Sequence, residues 1–478
     1  MIEDLKPYPE YKDSVLPWLG EVPVHWVERR AKYFFREVDE RSESGNEELM
    51  SVSHKTGVTP RKQSVTMFLA ESTVGYKICR PGDIAINTMW AFMGALGIAR
   101  QEGIVSPAYG VYRPIRTGMI GSEYLDKLLR TEAYKTEYIR RSTGINSSRL
   151  RLYPHQFLQI PFLCPPPDEQ SAIARFLAWA TNRLDRAIGA KRKIIALLNE
   201  QKQAIIHRAV TRGLDPSVPM KDSGIPWLGE IPKHWGVVRL KSLVSHVTSG
   251  SRGWSNFAAD SGVLFIRIGN LSRASLDLDF NSSVRLQLPL HVLSEATRSR
   301  VQPDDILLSI TAFIGSVAVV SPGMEEAYVS QHVACCRPRV GAANSSWIGY
   351  VLLSNVGQTH GKLNMYGGTK QGLSLDDVRN HLVLLPPRSE QDDLVEWIGH
   401  STTTLNAGIS NAKHEITLLR EYRTRLIADV VTGKLDVRKL AAGLPEQELQ
   451  DQPDVAAGYD ADEAEDDAES DLIDRVED

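Results

Sequence analysis

Apolar residues recur three or four positions apart in two long stretches of the chain, and no proline interrupts either stretch. The first stretch begins near Asp168 and carries Ile173, Leu177, Ala180, Leu184, Ile188, Ile195, Leu198, Ile205 and Ala209. The second begins near Ser389 and carries Leu394, Trp397, Ile398, Leu405, Ile409, Ile416, Leu419, Leu426 and Val430. This spacing predicts two amphipathic helices of ~40 residues, roughly 60 Å long, with Asp168 and Ser389 as their N-caps. A helix of that length cannot bury a narrow apolar seam alone, so we expect the two to pair.

Short apolar runs bounded by turn residues precede each predicted long helix. A proline turn feeds an apolar strand at Ile78–Ile86, and the same turn and strand return at Val301–Ser309. The second turn reads Pro303-Asp304-Asp305 and lacks the glycine found at Gly82. Shorter helical stretches follow near 122–141 and 346–362. The order therefore predicts an α+β chain in which two β-rich domains alternate with two long helices.

The chain also repeats itself at the level of single residues. Pro17–Trp26 reads PWLGEVPVHW, and Pro226–Trp235 reads PWLGEIPKHW 209 positions later. The long helices align as well, with Glu169-Gln170 matching Glu390-Gln391 at a shift of 221. A repeat of this length indicates a duplicated module, which implies pseudo-twofold symmetry and antiparallel long helices.

The composition of the chain indicates the cellular compartment in which we expect the protein. The chain has 478 residues, of which 42% are hydrophobic, and it contains neither a membrane-length apolar run nor a secretory signal pattern at its start. Its four cysteines have no metal-binding spacing, so we expect reduced thiols and a cytoplasmic protein. Histidines 25 and 234 are interpreted as structural turn residues rather than metal ligands.

The net charge of −4 conceals an uneven distribution. Residues 446–478 hold fifteen Asp and Glu against one Arg, which leaves 54 Lys and Arg against 44 Asp and Glu in residues 1–445. The basic body suits a polyanionic partner, and the acidic tail is predicted to be disordered.

The repeated motifs resemble those of one protein family. The opening Trp-Leu-Gly-Glu-[Val/Ile]-Pro-x-His-Trp, the Pro-Gly-Asp-Ile turn and the Pro-Pro-x-x-Glu-Gln start of each long helix are similar to those of type I restriction–modification specificity (S, HsdS) subunits. The resemblance covers about residues 14–440. It implies two target recognition domains joined by two long antiparallel coiled-coil helices. The implied boundaries are target recognition domains at 14–167 and 213–387 and spacer helices at 168–212 and 388–440. Outside the resemblance, the sequence itself predicts an N-terminal arm at 1–13 and an acidic disordered tail at 441–478.

The resemblance further implies a recognition function without catalysis in this chain. Each target recognition domain would read half of a bipartite site in double-stranded DNA, and the helices would set the spacer. The implied partners are two methyltransferase (M) subunits, which methylate adenine, and restriction (R) subunits, which cleave. S-adenosylmethionine would belong to the M subunit, and ATP and Mg to the R subunit, with no cofactor in this chain.

Candidate DNA-binding residues follow from the side chains that fit base edges and phosphates. Polar loops and strand exits, including that before Trp90, supply Lys55, Thr56, Arg61, Lys62, Asn87, Thr88, Asn146, Ser147 and Arg149 in the first domain. They supply Arg252, Asn256, Arg267, Asn270, Thr369, Lys370 and Gln371 in the second. Any one of these alone is more simply a solvated loop residue, whereas the group as a whole favours DNA contact.

No catalytic motif stands out in the sequence. The chain lacks the Asn/Asp-Pro-Pro-Tyr/Phe motif typical of adenine methyltransferases and a glycine-rich loop ending in Lys-Ser/Thr for ATP. Two alternatives stay open: a stand-alone two-domain DNA-binding protein, and an enzyme with an unrecognised active site. Copurification with a methyltransferase and methylation assays of the isolated chain distinguish them.

Overall fold

The structure, a computed structural model, describes residues 5–61, 72–144, 150–281, 283–292, 296–365 and 372–444. The described parts of Met1–Ile188 and Ile416–Pro453 form one compact unit, called unit 1, and those of Gly189–Glu415 form unit 2. Each unit combines strands with helices, which confirms the α+β prediction. The division falls within the long helices, because each unit contains part of both.

Unit 1 is built on a four-stranded antiparallel sheet of order β4-β11-β8-β9. Its strands are β1 (Tyr11–Asp13), β2 (Glu21–Pro23), β3 (Val27–Arg30), β4 (Phe35–Glu37), β5 (Met50–Ser53), β6 (Gly57–Pro60), β7 (Lys77–Cys79), β8 (Ile84–Ile86), β9 (Leu96–Ile98), β10 (Gly103–Val105), β11 (Gly110–Pro114) and β12 (Pro161–Cys164). Its short helices are α1 (Ser122–Leu129), α2 (Glu132–Arg141) and α3 (Pro154–Phe157). The helical stretch predicted near 122–141 is thus two helices, which meet at the buried Thr131.

Unit 2 repeats this sheet in the order β16-β23-β20-β21 and adds a second one, β17-β19-β18-β22. Its strands are β13 (Met220–Asp222), β14 (Glu230–Pro232), β15 (Gly236–Arg239), β16 (Val244–Ser249), β17 (Ala258–Ala259), β18 (Val263–Ile266), β19 (Val284–Leu286), β20 (Ile306–Ser309), β21 (Val317–Val319), β22 (Ala327–Val329), β23 (Val333–Pro338) and β24 (Leu382–Leu385). The short helices are α5 (Ser345–Leu353), α6 (Asn355–Asn364) and α7 (Leu375–Arg379).

The long helices are α4 (Pro167–Arg212) and α8 (Arg388–Val431). In unit 1, Asp185 of α4 pairs with Arg423 of α8 at 3.0 Å, and in unit 2 Lys202 donates to Asn406 at 2.6 Å. As the residue number rises along α4, the number of its partner in α8 falls, so the helices are antiparallel, as predicted.

Both helices begin one residue before the predicted N-caps. Asp168 and Ser389 lie in the first turn instead, and Pro167 takes the first helical position of α4, where its fixed φ suits the helix and its missing N–H costs no bond. Helix α8 ends at Val431 rather than near 440, because the backbone turns left-handed at Gly433, with φ of 79°.

A buried carboxylate attaches the repeated His-Trp turn of unit 1 to the start of α4. Glu169 Oε1 lies 2.8 Å from His25 Nε2, and Glu169 Oε2 accepts the indole N–H of Trp26 at 2.7 Å. The Trp26 side chain is fully buried. Lys12 closes the turn by donating to the Trp26 carbonyl at 2.6 Å. The sequence interpretation of this histidine as a structural residue therefore gains a specific partner.

Unit 2 contains the same arrangement at the start of α8. Glu390 lies 2.8 Å from His234 Nε2 and accepts the Trp235 indole N–H at 3.1 Å. Lys221 donates to the Trp235 carbonyl at 2.6 Å, which repeats the role of Lys12. We call each set of glutamate, histidine, tryptophan and lysine a clasp.

The glutamine after each clasp glutamate fixes the first short helix that follows the sheet. Gln170 accepts the backbone N–H of Gly121, the N-cap of α1, at 2.6 Å and donates to the Pro165 carbonyl at 2.7 Å. Gln391 does the same for Asn344, the N-cap of α5, at 2.8 Å and for Pro386 at 2.8 Å. The Glu-Gln pair thus joins three separate segments in each unit.

The second proline turn, Pro303-Asp304-Asp305, keeps the backbone conformation of the first although it lacks the glycine. Asp304 adopts φ of 69°, close to the 91° of Gly82. The following aspartates, Asp83 and Asp305, each accept a guanidinium, from Arg113 at 2.9 Å and Arg337 at 2.7 Å. Aspartate in place of glycine therefore strains the backbone at this position but preserves the turn.

The first residues of unit 1 are packed. Tyr8 is buried against His25 and Trp26, and Lys6 pairs with Asp436. A short helix, α9 (Arg438–Ala442), follows α8, and Ala441 is fully buried. The predicted tail therefore begins with ordered residues at 441–444, because Ala441 has an apolar cluster to enter, and residues 445–478 lie outside the described part.

Candidate nucleic-acid interface

The exit of β8 presents two large side chains of unit 1 to solvent. Asn87 itself is buried: its amide N–H donates to the Tyr109 hydroxyl at 3.0 Å, and its oxygen accepts the Met89 N–H at 3.3 Å. Thr88 donates to the Ala108 carbonyl at 3.1 Å. Met89 and Trp90, which come next, are 40% and 48% exposed. Asn87 and Thr88 therefore shape this exit, and their neighbours form its surface.

The other first-domain candidates lie at two ends of the β5–β6 hairpin. Lys55 and Thr56 are exposed at its turn, where Arg130 donates to the Lys55 carbonyl. Arg61 follows the far end of β6 and lies close enough to Tyr109 to affect it: burial raises the pKa of Tyr109, and the Arg61 charge opposes that rise. The structure thus groups Arg61 with the β8 exit and places Lys55 and Thr56 at the opposite end of a four-residue strand.

A polar segment returns to the β8 exit in the first domain. Thr143 and Arg151 pair in an isolated bridge, the Leu152 N–H donates to the Thr88 carbonyl at 3.0 Å, and an Arg151 N–H lies 3.8 Å from the Met89 sulfur. The candidates Asn146, Ser147 and Arg149 between them, like Lys62, lie outside the described residues. The exposed Arg151 was not among the predicted candidates.

The corresponding exit in unit 2 carries a hydrogen-bonded polar cluster. After β20, Thr311 Oγ1 lies 2.8 Å from His332 Nδ1, and Gln331 Nε2 lies 2.9 Å from His332 Nε2. All three side chains are partly exposed. Thr311 also pairs with Gly372, the first described residue after the candidates Thr369, Lys370 and Gln371, which lie outside the described part.

The predicted candidates Arg252 and Arg267 follow two separate segments that both contact Ser330. The chain leaves β16 through Gly250, whose N–H donates to the Ser330 carbonyl at 3.1 Å, and continues to the exposed Arg252. A Cβ on Gly250 would lie 1.9 Å from the Val329 carbonyl oxygen, so only glycine fits this approach. Arg267 follows Ile266, whose carbonyl accepts the Ser330 N–H at 2.8 Å.

The two asparagines predicted in this region differ in their surroundings. Asn256 is exposed in the turn that Trp254 anchors in an apolar cluster. Asn270 is 2% exposed; it accepts the Arg267 N–H at 2.8 Å and donates to the Asp279 carbonyl at 2.7 Å. Asn256 is therefore available to a ligand, whereas Asn270 holds the turn after β18.

Sequence reasoning missed Thr311, Gln331 and His332, although the repeat contains a signal for them. Gln331 and His332 stand where the first copy has Pro107 and Ala108, directly before a strand that both copies share. The His332 carbonyl accepts the Ile310 N–H at 3.0 Å, so its backbone is fixed while its side chain differs between the copies.

The two strand exits supply hydrogen-bonding and cationic side chains. Among the residues that the structure describes, no cluster of three or more His, Cys, Asp or Glu side chains is placed to hold a metal ion. The four cysteines are free thiols, as expected, and Cys335 and Cys336 lie in β23. Among the described helices, none is long and apolar enough to cross a bilayer.

Comparison with known proteins finds similarity to specificity subunits of type I restriction enzymes. It is 24% identical over 304 residues to the type I restriction enzyme MjaVIII specificity subunit of Methanocaldococcus jannaschii, covering 63% of this chain and 67% of the relative. It is 23% identical over 338 residues to the type I restriction enzyme EcoKI specificity subunit of Escherichia coli K12, covering 68% of each. These relatives confirm the resemblance seen in the repeated motifs. No family model matches the chain.

A solved structure has a similar fold. A chain from a structure of the assembly and conformational transition of a type I restriction–modification system aligns with a TM-score of 0.54 and 16% identity, over 86% of this chain and 98% of that one. The likeness concerns the fold, with its two long helices and two β-rich domains.

Proposed function

We infer that the chain belongs to the specificity subunits of type I restriction enzymes, and we propose that it recognises DNA for a restriction–modification complex. The observation that carries the proposal is the doubled clasp, which frames two domains whose exposed strand exits differ. A single frame that presents two different surfaces suits a bipartite target. Each domain reads one half-site in double-stranded DNA.

The chemistry of the two surfaces supports different half-sites. The second domain offers arginine, glutamine, histidine and threonine side chains, all of which hydrogen-bond to base edges in a major groove. The first offers Met89, Trp90 and Arg151, a more apolar set that suits thymine methyl groups and the phosphate backbone. Lysines and arginines that contact phosphates would supply most of the affinity and make it salt-dependent.

The remaining roles follow from the same proposal. The 46-residue α4 and the 44-residue α8 set the spacer between the half-sites. Two M subunits perform adenine methylation with S-adenosylmethionine, and R subunits cleave with ATP and Mg. The chain itself is non-catalytic, binds no cofactor and acts in the cytoplasm.

Mapping of methylated adenines in host DNA tests the proposal. Deletion of the gene should abolish methylation at one bipartite motif. The substitutions Arg252→Ala, at an exposed residue, and His332→Ala, at a partly exposed one, should relax the sequence requirement in one half of that motif and leave the other half intact. The matched first-domain variant, Trp90→Ala, should relax the opposite half.

Three outcomes would contradict the proposal. Methylation that is unchanged after deletion of the gene would exclude the function altogether. Loss of the same half-site in both sets of variants would exclude the assignment of one domain to each half. Failure of the chain to copurify with a methyltransferase would favour the stand-alone DNA-binding alternative.

A further inference from the structure

A groove beside the clasp of unit 1 is filled by the chain itself. Val437 and Ala441 are fully buried there, and Leu440 and Leu444 pack against the same apolar cluster, which includes Leu19 of the entry turn. Arg438 donates to Glu169 at 2.9 Å and lies 5.0 Å above the Tyr8 ring. The segment Val437–Leu444 thus covers this clasp.

The equivalent groove of unit 2 is open among the described residues. After α4 the chain runs through Asp215 directly into β13, and a cleft of about 760 Å³ remains. The cleft adjoins the clasp at Gly213, where a Cβ would lie 3.4 Å from Trp235 and 3.5 Å from Glu390. Leu228, the counterpart of the buried Leu19, lines it and is only half-buried. The Glu390 side chain is 30% exposed, whereas that of Glu169 is 3% exposed.

The charge of the open cleft differs from that of the filled groove. Arg208 and Arg212 line the cleft at positions where the repeat places Asp429 and Gly433 in unit 1. Asp215 and Glu230 also line it, but they match Asp436 and Glu21, so the two arginines are the difference in charge between the copies. Burial and the Arg212 charge lower the pKa of the neighbouring His207, so the positive charge comes from the arginines. A ligand for this cleft would therefore combine apolar side chains with carboxylates.

The chain carries one such segment outside the described residues. Asp471–Asp478 reads DLIDRVED, with apolar residues at Leu472, Ile473 and Val476 and four acidic residues against Arg475. We propose that Asp471–Asp478 binds in the cleft of unit 2, with its apolar side chains on Leu214, Val218 and Leu228 and its carboxylates on Arg208 and Arg212.

The connecting segment is long enough for binding within one molecule. The 26 residues 445–470 can extend to about 90 Å at ~3.5 Å per residue. That reach exceeds the whole length of α4, which is about 69 Å for 46 residues at 1.5 Å each. The segment then covers in unit 2 the groove that Val437–Leu444 covers in unit 1.

Hydrogen exchange of the full chain, followed by mass spectrometry, tests this inference. In the wild-type protein, the amides of 472–478 should exchange at least about tenfold more slowly than in the cleft variant Arg208→Glu/Arg212→Glu. The tail variant Leu472→Asp/Ile473→Asp/Val476→Asp should lose the same protection and should also expose the cleft residues 218–230. The control Arg175→Glu/Lys193→Glu makes the same charge change at exposed helix positions and should retain the protection.

Three results would overturn the inference. The first is fast exchange of 472–478 that is identical in all four proteins. The second is protection that survives both the cleft and the tail substitutions, since the segment would then bind elsewhere. The third is protection that disappears on dilution, which would show binding between molecules. The tail variant leaves every described residue unchanged, so its result does not depend on refolding of the cleft.

Discussion

The two clasps use the same residue types in different surroundings, and the difference predicts unequal costs for one substitution. Glu169 accepts four donors: His25 and Arg438 on one oxygen, Trp26 and the Tyr8 hydroxyl on the other. Glu390 accepts only His234 and Trp235 among the hydrogen bonds described for it, and it is ten times more exposed. We expect Glu169→Gln to destabilise unit 1 more than Glu390→Gln destabilises unit 2.

The magnitude follows from the donors that a glutamine leaves without an acceptor. Whichever way the amide at 169 turns, its NH₂ group faces two of the four donors, and each lost bond to a charged group costs about 1.5–3 kcal/mol when buried. Arg438 is 42% exposed, so water compensates part of its loss. The expected cost is about 3 kcal/mol. At Glu390 water reaches the carboxylate, so the expected cost is about 1 kcal/mol.

Hydrogen exchange resolves the two units separately. For Glu169→Gln, the amides of α1 and β12 in unit 1 should exchange more than about 100-fold faster, since each 1.4 kcal/mol is a factor of ten. For Glu390→Gln, those of α5 and β24 should change by about fivefold. Glu132→Gln, at a glutamate that is 77% exposed, serves as the control and should change neither unit. Equal effects of the two clasp variants would refute the link between burial and the strength of the clasp.

Three further predictions concern single positions. Asp304→Gly should raise the unfolding free energy by about 0.5–1 kcal/mol, because φ of 69° is strained for aspartate, and Gly82→Asp should lower it, as thermal unfolding will show. Burial lowers the pKa of His381 to about 4, below its ordinary 6.5, so up to about 3 kcal/mol of the unfolding free energy that is present above pH 6.5 should be lost as the pH falls toward 4. Urea titrations measure this loss, and the variant His381→Gln should not show it. Gly250→Ala should cost about 3 kcal/mol and abolish one half-site in methylation maps, whereas Gly189→Ala, in open space on α4, should not destabilise the chain.

The arrangement of helices and β-rich domains could be predicted because its sequence pattern occurs twice in the chain. Period and repeat together gave both long helices, their antiparallel pairing and the two β-rich domains. The contacts of the clasp could not be derived in the same way, because His25 and Glu169 are 144 positions apart and no periodicity joins them. The ends of α8 and of the ordered chain were also misjudged, since a buried alanine and a left-handed glycine look ordinary in a sequence.

Individual site residues were harder to predict than the frame. Asn87 and Asn270 have the residue type of base-reading side chains, but both are buried and hold turns by hydrogen bonds. A sequence shows that a polar residue is present and does not show whether its partner is protein or ligand. His332 was missed because it carries no pattern of its own and stands out only when the two copies are compared.

Duplication explains why comparison of the copies is more informative than either copy alone. Residues that repeat with their contacts, such as Lys12 and Lys221, hold the frame, because the same bond forms in both units. Positions where the carbonyl is held in both copies but the side chain changes, such as Ala108 and His332, are the candidates for recognition: the Ala108 carbonyl accepts the Thr88 hydroxyl, and the His332 carbonyl accepts the Ile310 N–H. The same comparison separates the filled groove of unit 1 from the open cleft of unit 2, where a shared scaffold carries arginine instead of aspartate. Equivalent positions with unequal burial or charge are therefore the places where we expect the two halves of this chain to bind different partners.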